Sequence, residues 1–280
     1  YILINMIYTI LNFLIFKKRK GDKSYLIWDI RVNSITFDFI SVIFYTFNNI
    51  KFKDKKKFDV VIYIPESFNP EPFQFGSYNE IISTEDNIKR IQNLIIPLAN
   101  NFNCVENIIV ETKLKNIYKY LNNSFDVFPK NYHPKFFIPE PLHYRSVIKY
   151  LLNGEKKIPY IKSEELNQDI FNDLGTIIKP KEYITITLRD YGYMPHRNTS
   201  NKDIEKAYQL SLKLDKKLIL VADKKEYISK YHVPSEALIS TLPRESIRAR
   251  NAIYANSEVN VFKESGPAYL SHYLRKIKTI

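Results

Sequence analysis

The stretch Tyr183-Ile184-Thr185-Ile186-Thr187-Leu188, followed directly by Arg189, decides the fold. It is short, β-branched and apolar, as a strand buried on both faces of a parallel sheet is. Working outward, residues 218–221 (LILV) and 259–262 (VNVF) have the same character, and 237–240 (ALIS) is a weaker fourth. Between these strands the period lengthens to that of a helix. Ala207, Leu210, Leu212 and Leu214 recur after the candidate caps Ser200, Asn201 and Asp203. A second helix over 244–255 brings Ile247, Ile253 and Tyr254 near one face. Strand-then-helix units in series imply a parallel sheet covered on both sides.

The first half reads the same way. Residues 25–28 (YLIW) and 60–64 (VVIYI) are strands with a helix over 35–47 between them, and 107–110 is a third strand. Ser83 or Thr84, followed by Glu85 and Asp86, starts a helix to about residue 98. Pro129, Pro134, Pro139 and Pro141 make 128–141 a loop. Residues 142–180 are mixed and helical, and Lys179-Pro180 immediately precedes the strand at 183. We therefore expect an α/β protein with two Rossmann-like parallel-sheet domains, residues 1–180 and 181–280. The length of 280 residues fits, since single cores stop growing at roughly 250–300 residues.

Forty-two Lys and Arg against thirty Asp and Glu give +12, which suits nucleic acid, an anionic membrane surface or a phosphorylated substrate. Lys, Asn, Ile, Tyr and Phe are abundant together, a bias that AT-rich coding imposes without a functional cause. The aromatics fall mainly at core-like positions and the lysines are dispersed, so no nucleic-acid partner is expected. Cys104 is the one cysteine, which excludes an internal disulfide or a cysteine zinc site and fits a reducing, cytoplasmic setting. The chain opens on Tyr1 instead of Met, as a fragment or processed chain does. Residues 1–16 are mostly apolar and run into Lys17-Lys18-Arg19-Lys20. Interrupted by Asn5, Thr9 and Asn12, they fall short of the ~20 residues a bilayer span needs. They read as a buried or surface-docked helix, with peripheral membrane association through residues 1–20 as the alternative.

Chemistry-bearing residues fall after the strands. Arg189, Arg197 and Asn198 follow the first strand of the second domain, and Glu264-Ser265-Gly266-Pro267 follows the fourth. Open parallel sheets bind ligands at the carboxyl ends of their strands. Arginine forks bind phosphate oxygens in bidentate fashion, Gly266 permits close approach to the backbone, and Pro267 suits a first helical turn. A helix starting there would aim free N–H groups at an anion, Ser265 would add a hydroxyl, and Asn198 would anchor the turn or touch the ligand. Together these point to a phosphate-bearing ligand. Arg244, Arg248 and Arg250 read as one charged helix face.

In the first domain Asp29, Arg31, Asn33 and Ser34 lie between strand and helix, either as turn and cap residues or around a general base. Asp29 is the first choice for that base. Asp38 is second, because it falls inside the helical pattern. His133, His143 and His196 sit in loops as candidate phosphate or acceptor contacts. No GxGxxG follows a strand, no GxxxxGK[ST] occurs, and no Cys or His cluster has ligand spacing, so no metal or cofactor is expected.

Two successive α/β domains with a Ser-Gly-Pro turn opening the last helix resemble the GT-B glycosyltransferases. The heptosyltransferase-like group carries an Asp-Thr-Gly-Pro-Met-His-Leu-Ala type motif. Here the matching residues are Glu264-Ser265-Gly266-Pro267-Ala268-Tyr269-Leu270-Ser271, with Glu for Asp, Ser for Thr and Tyr269 for His. Leu188-Arg189 with a second arginine further on is similar to the phosphate-binding arginines of fucosyltransferase-type enzymes. The resemblance implies a metal-independent glycosyltransferase that moves a sugar from a nucleotide-diphosphate donor to a glycan or other surface-polysaccharide acceptor, in the cytoplasm at the inner membrane face. The absence of any Asp-X-Asp pair speaks against the metal-dependent GT-A class. On this reading Asp29 and Arg189 are catalytic, and Arg31, Asn33, Arg197, Asn198, Glu264, Ser265, Gly266 and Pro267 bind substrate. The nucleotide sugar is a substrate and not a cofactor, and a complete donor domain of this family continues beyond the position of Ile280. Sugar-nucleotide epimerases and polysaccharide pyruvyl transferases share the architecture. A non-catalytic α/β scaffold would bind ligand without transfer.

Overall fold

Among the described residues of the computed structural model every strand pairing is parallel, and the strands form two separate sheets. The structure describes residues 21–31, 33, 35–53, 55–66, 88–130, 132–134, 159–190, 194–222, 228–274 and 278–280. The readings placed on residues 1–20, Ser34, 83–86 and His143 lie outside the described residues. The chain divides into two compact units with the boundary at Pro159/Tyr160, apart from residues 92–97, which group with the second.

In the first unit β1 (Ser24–Asp29), β2 (Phe58–Tyr63), β3 (Val105–Glu111) and β4 (Asp126–Phe128) lie in the order β3-β2-β1-β4. Both faces of β1 are covered, as its unbroken apolar run requires. Tyr25 and Ile27 pack with Val61, Ile117 and Leu121, where Ile117 and Leu121 form the buried stripe of helix Leu114–Asn122. On the other face Trp28 meets Phe39 edge-on at 4.9 Å. Phe39 opens α1 (Phe39–Asn49), whose first eight residues are all buried.

The second unit contains β5 (Tyr183–Leu188), β6 (Lys217–Ala222), β7 (Leu238–Ser240), β8 (Val259–Val261) and β9 (Lys278–Thr279), in the order β7-β6-β5-β8-β9. Helix α2 (Asn201–Lys213) begins with a capping box between Ser200 and Asp203. Its buried stripe is Ile204, Ala207 and Ser211, packed on Ile184, Ile186 and Leu188. Leu212 and Leu214, expected on that stripe, are exposed. Leu212 is out of phase with the 204–207–211 spacing, whereas Leu214, which is in phase, is the C-cap beyond the last helical residue.

The opposite face of β5 is polar and fully bonded. Tyr183 donates its hydroxyl to Ile253 O at 2.7 Å, Thr185 to Asn260 Oδ1 at 2.7 Å, and Thr187 shares a 2.7 Å bond with the Tyr254 hydroxyl. Ile253 and Tyr254 belong to α3 (Ile247–Asn256), capped by Ser246. In this network lies a correction. Arg250 is 3% exposed, donating to Pro243 O and the Tyr254 hydroxyl, while Arg248 faces solvent, so the three arginines do not share one charged face.

Residues 160–180 pack on the second sheet, ahead of the junction expected at 180/181. Ile161 N–H donates to Tyr273 O at 2.9 Å and Asn251 Nδ2 to Lys162 O at 2.7 Å. The Asp173 carboxylate accepts from the Thr241 N–H at 3.1 Å and the Thr241 hydroxyl at 3.2 Å, just past β7. Lys179-Pro180 therefore opens a tight turn, completed by Lys181 at φ 66°.

Candidate functional site

β5 and β8 are neighbours, yet the helix after β5 packs on the even-numbered face and α3, which leads into β8, packs on the odd-numbered face. The crevice outside their carboxyl ends is therefore the topological switch point, where doubly wound sheets bind ligands. The two segments singled out in the sequence leave the sheet here. Arg189 follows β5, and Glu264-Ser265-Gly266-Pro267 follows β8.

The loop after β5 is closed by a reciprocal pair of bonds between Arg189 and Thr199. Arg189 N–H donates to Thr199 Oγ1 at 2.9 Å, and Thr199 N–H donates to Arg189 O at 2.9 Å. The Arg189 guanidinium, 8% exposed as a residue, turns inward to donate to Met194 O and to Asn198 Oδ1. Met194 holds a left-handed backbone at φ 52°, unusual for a residue with a Cβ and a sign of local constraint. In the turn that follows, Pro195–Arg197, the Arg197 side chain is 24% exposed and its Nη1 donates to Met194 Sδ at 3.2 Å. Arg197 Nε donates to Glu264 O at 2.8 Å and sits 3.3 Å from the Glu264 carboxylate. The structure thus brings Arg189, Arg197, Asn198 and Glu264 together, with Arg189 and Asn198 shaping the loop and Arg197 tying it to the turn after β8.

Next to Glu264, Ser265 is the N-cap of α4 (Gly266–His272) but makes no capping bond. Its hydroxyl is buried without a hydrogen-bond partner among the described residues. A buried hydroxyl left without a partner is costly and calls for an explanation. Gly266 takes the first helical position, and the glycine with positive φ is Gly175 instead. Glycine at 266 is therefore not required by an unusual backbone angle. At seven residues α4 has little macrodipole, and the positive charge beside the turn is that of the Arg197 guanidinium.

Beside this turn a cavity of about 250 Å³ is lined by Thr187, Thr199, Lys206, Val261, Phe262 and Lys263, among others. Lys263 Nζ lies 3.1 Å from Asp203. Burial works against the charge of Asp203, but its bonds from the Ser200 hydroxyl and backbone and from Lys263 outweigh that and hold its pKa below the usual range.

In the first unit the expected residues also converge, in different roles. The Asp29 side chain is fully buried. It accepts from Arg31 Nε at 3.0 Å, Arg31 Nη2 at 2.6 Å, Arg31 N–H at 3.0 Å and the Tyr132 hydroxyl at 2.8 Å. Burial, then the Asp29 charge, pushes the Tyr132 phenol far up. A carboxylate so enclosed orients Arg31 and is poorly placed to take a proton from a substrate. Arg31 also donates to Pro134 O at 2.7 Å and stacks over Tyr63 at 4.9 Å, leaving its side chain 25% exposed. Asn33 donates through its side chain to Asp29 O at 2.8 Å, a turn contact. Asp38 lies at the N-cap of α1, not inside it, and is exposed, with the Thr36 hydroxyl donating to its Oδ2 at 3.0 Å. His133 is buried against Tyr118, and His196 is exposed beside Arg197. Tyr132 carried no signal in the sequence, being 103 residues from its partner. Among the described residues no three His, Cys, Asp or Glu side chains are grouped as a metal ion would need.

No protein-family model matches the chain, and no curated protein sequence matches it. Among solved structures it is similar to E. coli heptosyltransferase WaaC with ADP, at 11% identity and a TM-score of 0.43 over 91% of this chain and 86% of that one. It is also similar to a glycosyl transferase of family 9 from Veillonella parvula, at 10% identity and 0.47 over 94% and 81%. A third is E. coli ADP-heptose LPS heptosyltransferase II, at 9% identity and 0.46 over 92% and 84%. The strand order within each unit defines the α/β fold independently of these likenesses.

Proposed function

We propose that the chain is a glycosyltransferase whose second unit binds the diphosphate of a nucleotide-sugar donor at the β5/β8 switch point. The observation that carries this is the meeting of Arg197 with Glu264 beside the buried, unpartnered Ser265 hydroxyl. In transfer, the acceptor hydroxyl oxygen bonds to the anomeric carbon while the carbon–oxygen bond to the β-phosphate breaks, and the diphosphate leaves with the electron pair. Arg197 offers a planar fork to the charge that develops there, and Ser265 donates a hydrogen bond that it does not spend among the described residues. Arg189 acts through Asn198 and Met194 O, holding Arg197 in place.

The acceptor, a glycan or other surface polysaccharide, gives its hydroxyl proton to a general base. We assign that base to Asp38 on its exposure at the start of α1, and give Asp29 the task of positioning Arg31. The chemistry proposed needs no metal, because guanidinium groups supply the positive charge.

A thermal-shift screen of nucleoside diphosphates and their sugars in EDTA tests the reading. A ligand at a hundred times its Kd stabilises the native state by about 2.7 kcal/mol. One nucleotide class should raise Tm, and Arg197→Ala should cut the rise to less than half at the same ligand concentration. No response to any diphosphate would refute the assignment. Product analysis separates transfer from epimerisation or pyruvyl transfer, which the same architecture supports.

A further inference from the structure

We infer that the amino edge of the first sheet, opposite its ligand-binding edge, is a docking surface for an anionic lipid bilayer. Because β1 and β2 run parallel, the residues leading into each emerge at the same edge. The lead to β2 carries Lys51, Lys53, Lys55, Lys56 and Lys57, all exposed. It is stapled to the start of β1 and β4. Ser24 Oγ donates to Lys51 O at 2.6 Å, Lys51 N–H donates to Asp126 Oδ2 at 2.7 Å, and Phe125 N–H donates to Lys23 O at 2.7 Å.

The buried acids at this edge are already engaged. Asp126 accepts from Lys51, Val127 and Lys130, and Asp59, 2% exposed, accepts from Lys23 and Asn107. Neither can neutralise the lysine run. Among the described residues Lys51, Lys53, Lys55 and Lys57 have no ion pair. Asp22, Glu106 and, in sequence, Asp54 are the nearby acids left to oppose them, fewer than the five lysines of the run.

Lipid is favoured over nucleic acid by what accompanies the charge. Phe125, 36% exposed, stands at this edge. The chain also enters the edge at Gly21, directly after the sequence Lys17-Lys18-Arg19-Lys20 and a mostly apolar run of sixteen residues. Lysines beside apolar residues are the composition that binds anionic leaflets, each cation near the surface being worth about fivefold in partition.

The test is flotation of the full chain with phosphatidylcholine vesicles, with and without roughly a third phosphatidylglycerol, at low salt and at about 0.5 M salt. We expect binding to the anionic vesicles alone, released by salt. The combined variant Lys53→Gln/Lys55→Gln/Lys57→Gln, checked for folding by circular dichroism, should bind on the order of a hundredfold more weakly. Lys179→Gln/Lys213→Gln/Lys217→Gln, which removes the same charge from the second unit, should bind as the parent does. The inference is overturned by equal binding to both vesicle types, by an unaffected first variant, or by equal losses in the two. Displacement of vesicles by duplex oligonucleotide through the same lysines would also overturn it, in favour of a nucleic-acid partner.

Discussion

Arg197 and Glu264, 67 residues apart, are joined by a 2.8 Å bond from the guanidinium to the backbone carbonyl and a 3.3 Å approach to the carboxylate. The bond to the carbonyl fixes the arginine to the backbone of the β8 turn, so its position does not depend on the carboxylate alone. The Glu264 side chain is 69% exposed, so the ion pair itself contributes little, about 0–1 kcal/mol.

Arg197→Ala should therefore leave folding nearly intact while weakening nucleoside-diphosphate binding by about 1.5–3 kcal/mol, the cost of a lost charge-assisted hydrogen bond. Arg197→Lys should fall between, keeping charge without the fork. Calorimetry on the two variants checks the order. Arg189→Ala should also weaken binding, more than Arg189→Lys, but with a drop in Tm as well, since Arg189 braces the loop from within.

The two aspartates of the first unit should separate cleanly. Asp38→Asn should abolish transfer and leave Tm and donor binding unchanged. Asp29→Asn breaks the bidentate pair with Arg31 and should destabilise by roughly 3 kcal/mol, read by urea denaturation. Wild-type turnover in Asp38→Asn would return the base to Asp29 or elsewhere.

How far these roles were legible in the sequence depended on the range of the interaction. β5 and β6 announced themselves because both faces are buried and the residues needed are local. β4 and β9, of three and two residues, are too short to show a period. The composition of the β5 and β8 loops suggested a phosphate site, but their adjacency is a matter of strand order, which no local pattern encodes. Asp29 read either as a turn residue or as a base because Tyr132, which bonds its carboxylate, lies 103 residues away. Arg250 looked like a surface charge because its burial depends on Tyr254 reaching back along α3 and on Pro243 before it.

That buried network predicts a stability effect. Tyr254→Phe removes the hydroxyl shared by Thr187 and Arg250, and should cost about 1–3 kcal/mol in chemical denaturation. A neutral result would mean that the two groups find other partners without strain.

Cys104 is fully buried, and burial pushes its thiol up to about 12 from the ordinary value of 9.0. The raised pKa means that the folded state keeps its proton where the unfolded state loses it. The contribution to stability is whole below about pH 9 and is lost as pH rises toward 12. Native protein at pH 8 should resist iodoacetamide and react in denaturant, and Cys104→Ala should flatten the alkaline end of the stability profile. Rapid native-state labelling would contradict this placement of the thiol.

The most direct test of the central claim is a calorimetric titration, in EDTA, of the nucleoside diphosphate identified by the screen into wild type and Gly266→Val. Gly266 has no positive φ and sits at a helical position, so valine should leave folding intact while its branched side chain keeps a phosphate from the backbone of the turn. The account predicts metal-free binding by wild type and its loss in the folded valine variant, with Ser265→Ala weakened to a smaller degree. Wild-type affinity in Gly266→Val, or binding by wild type that appears only when a divalent metal is added, would contradict it.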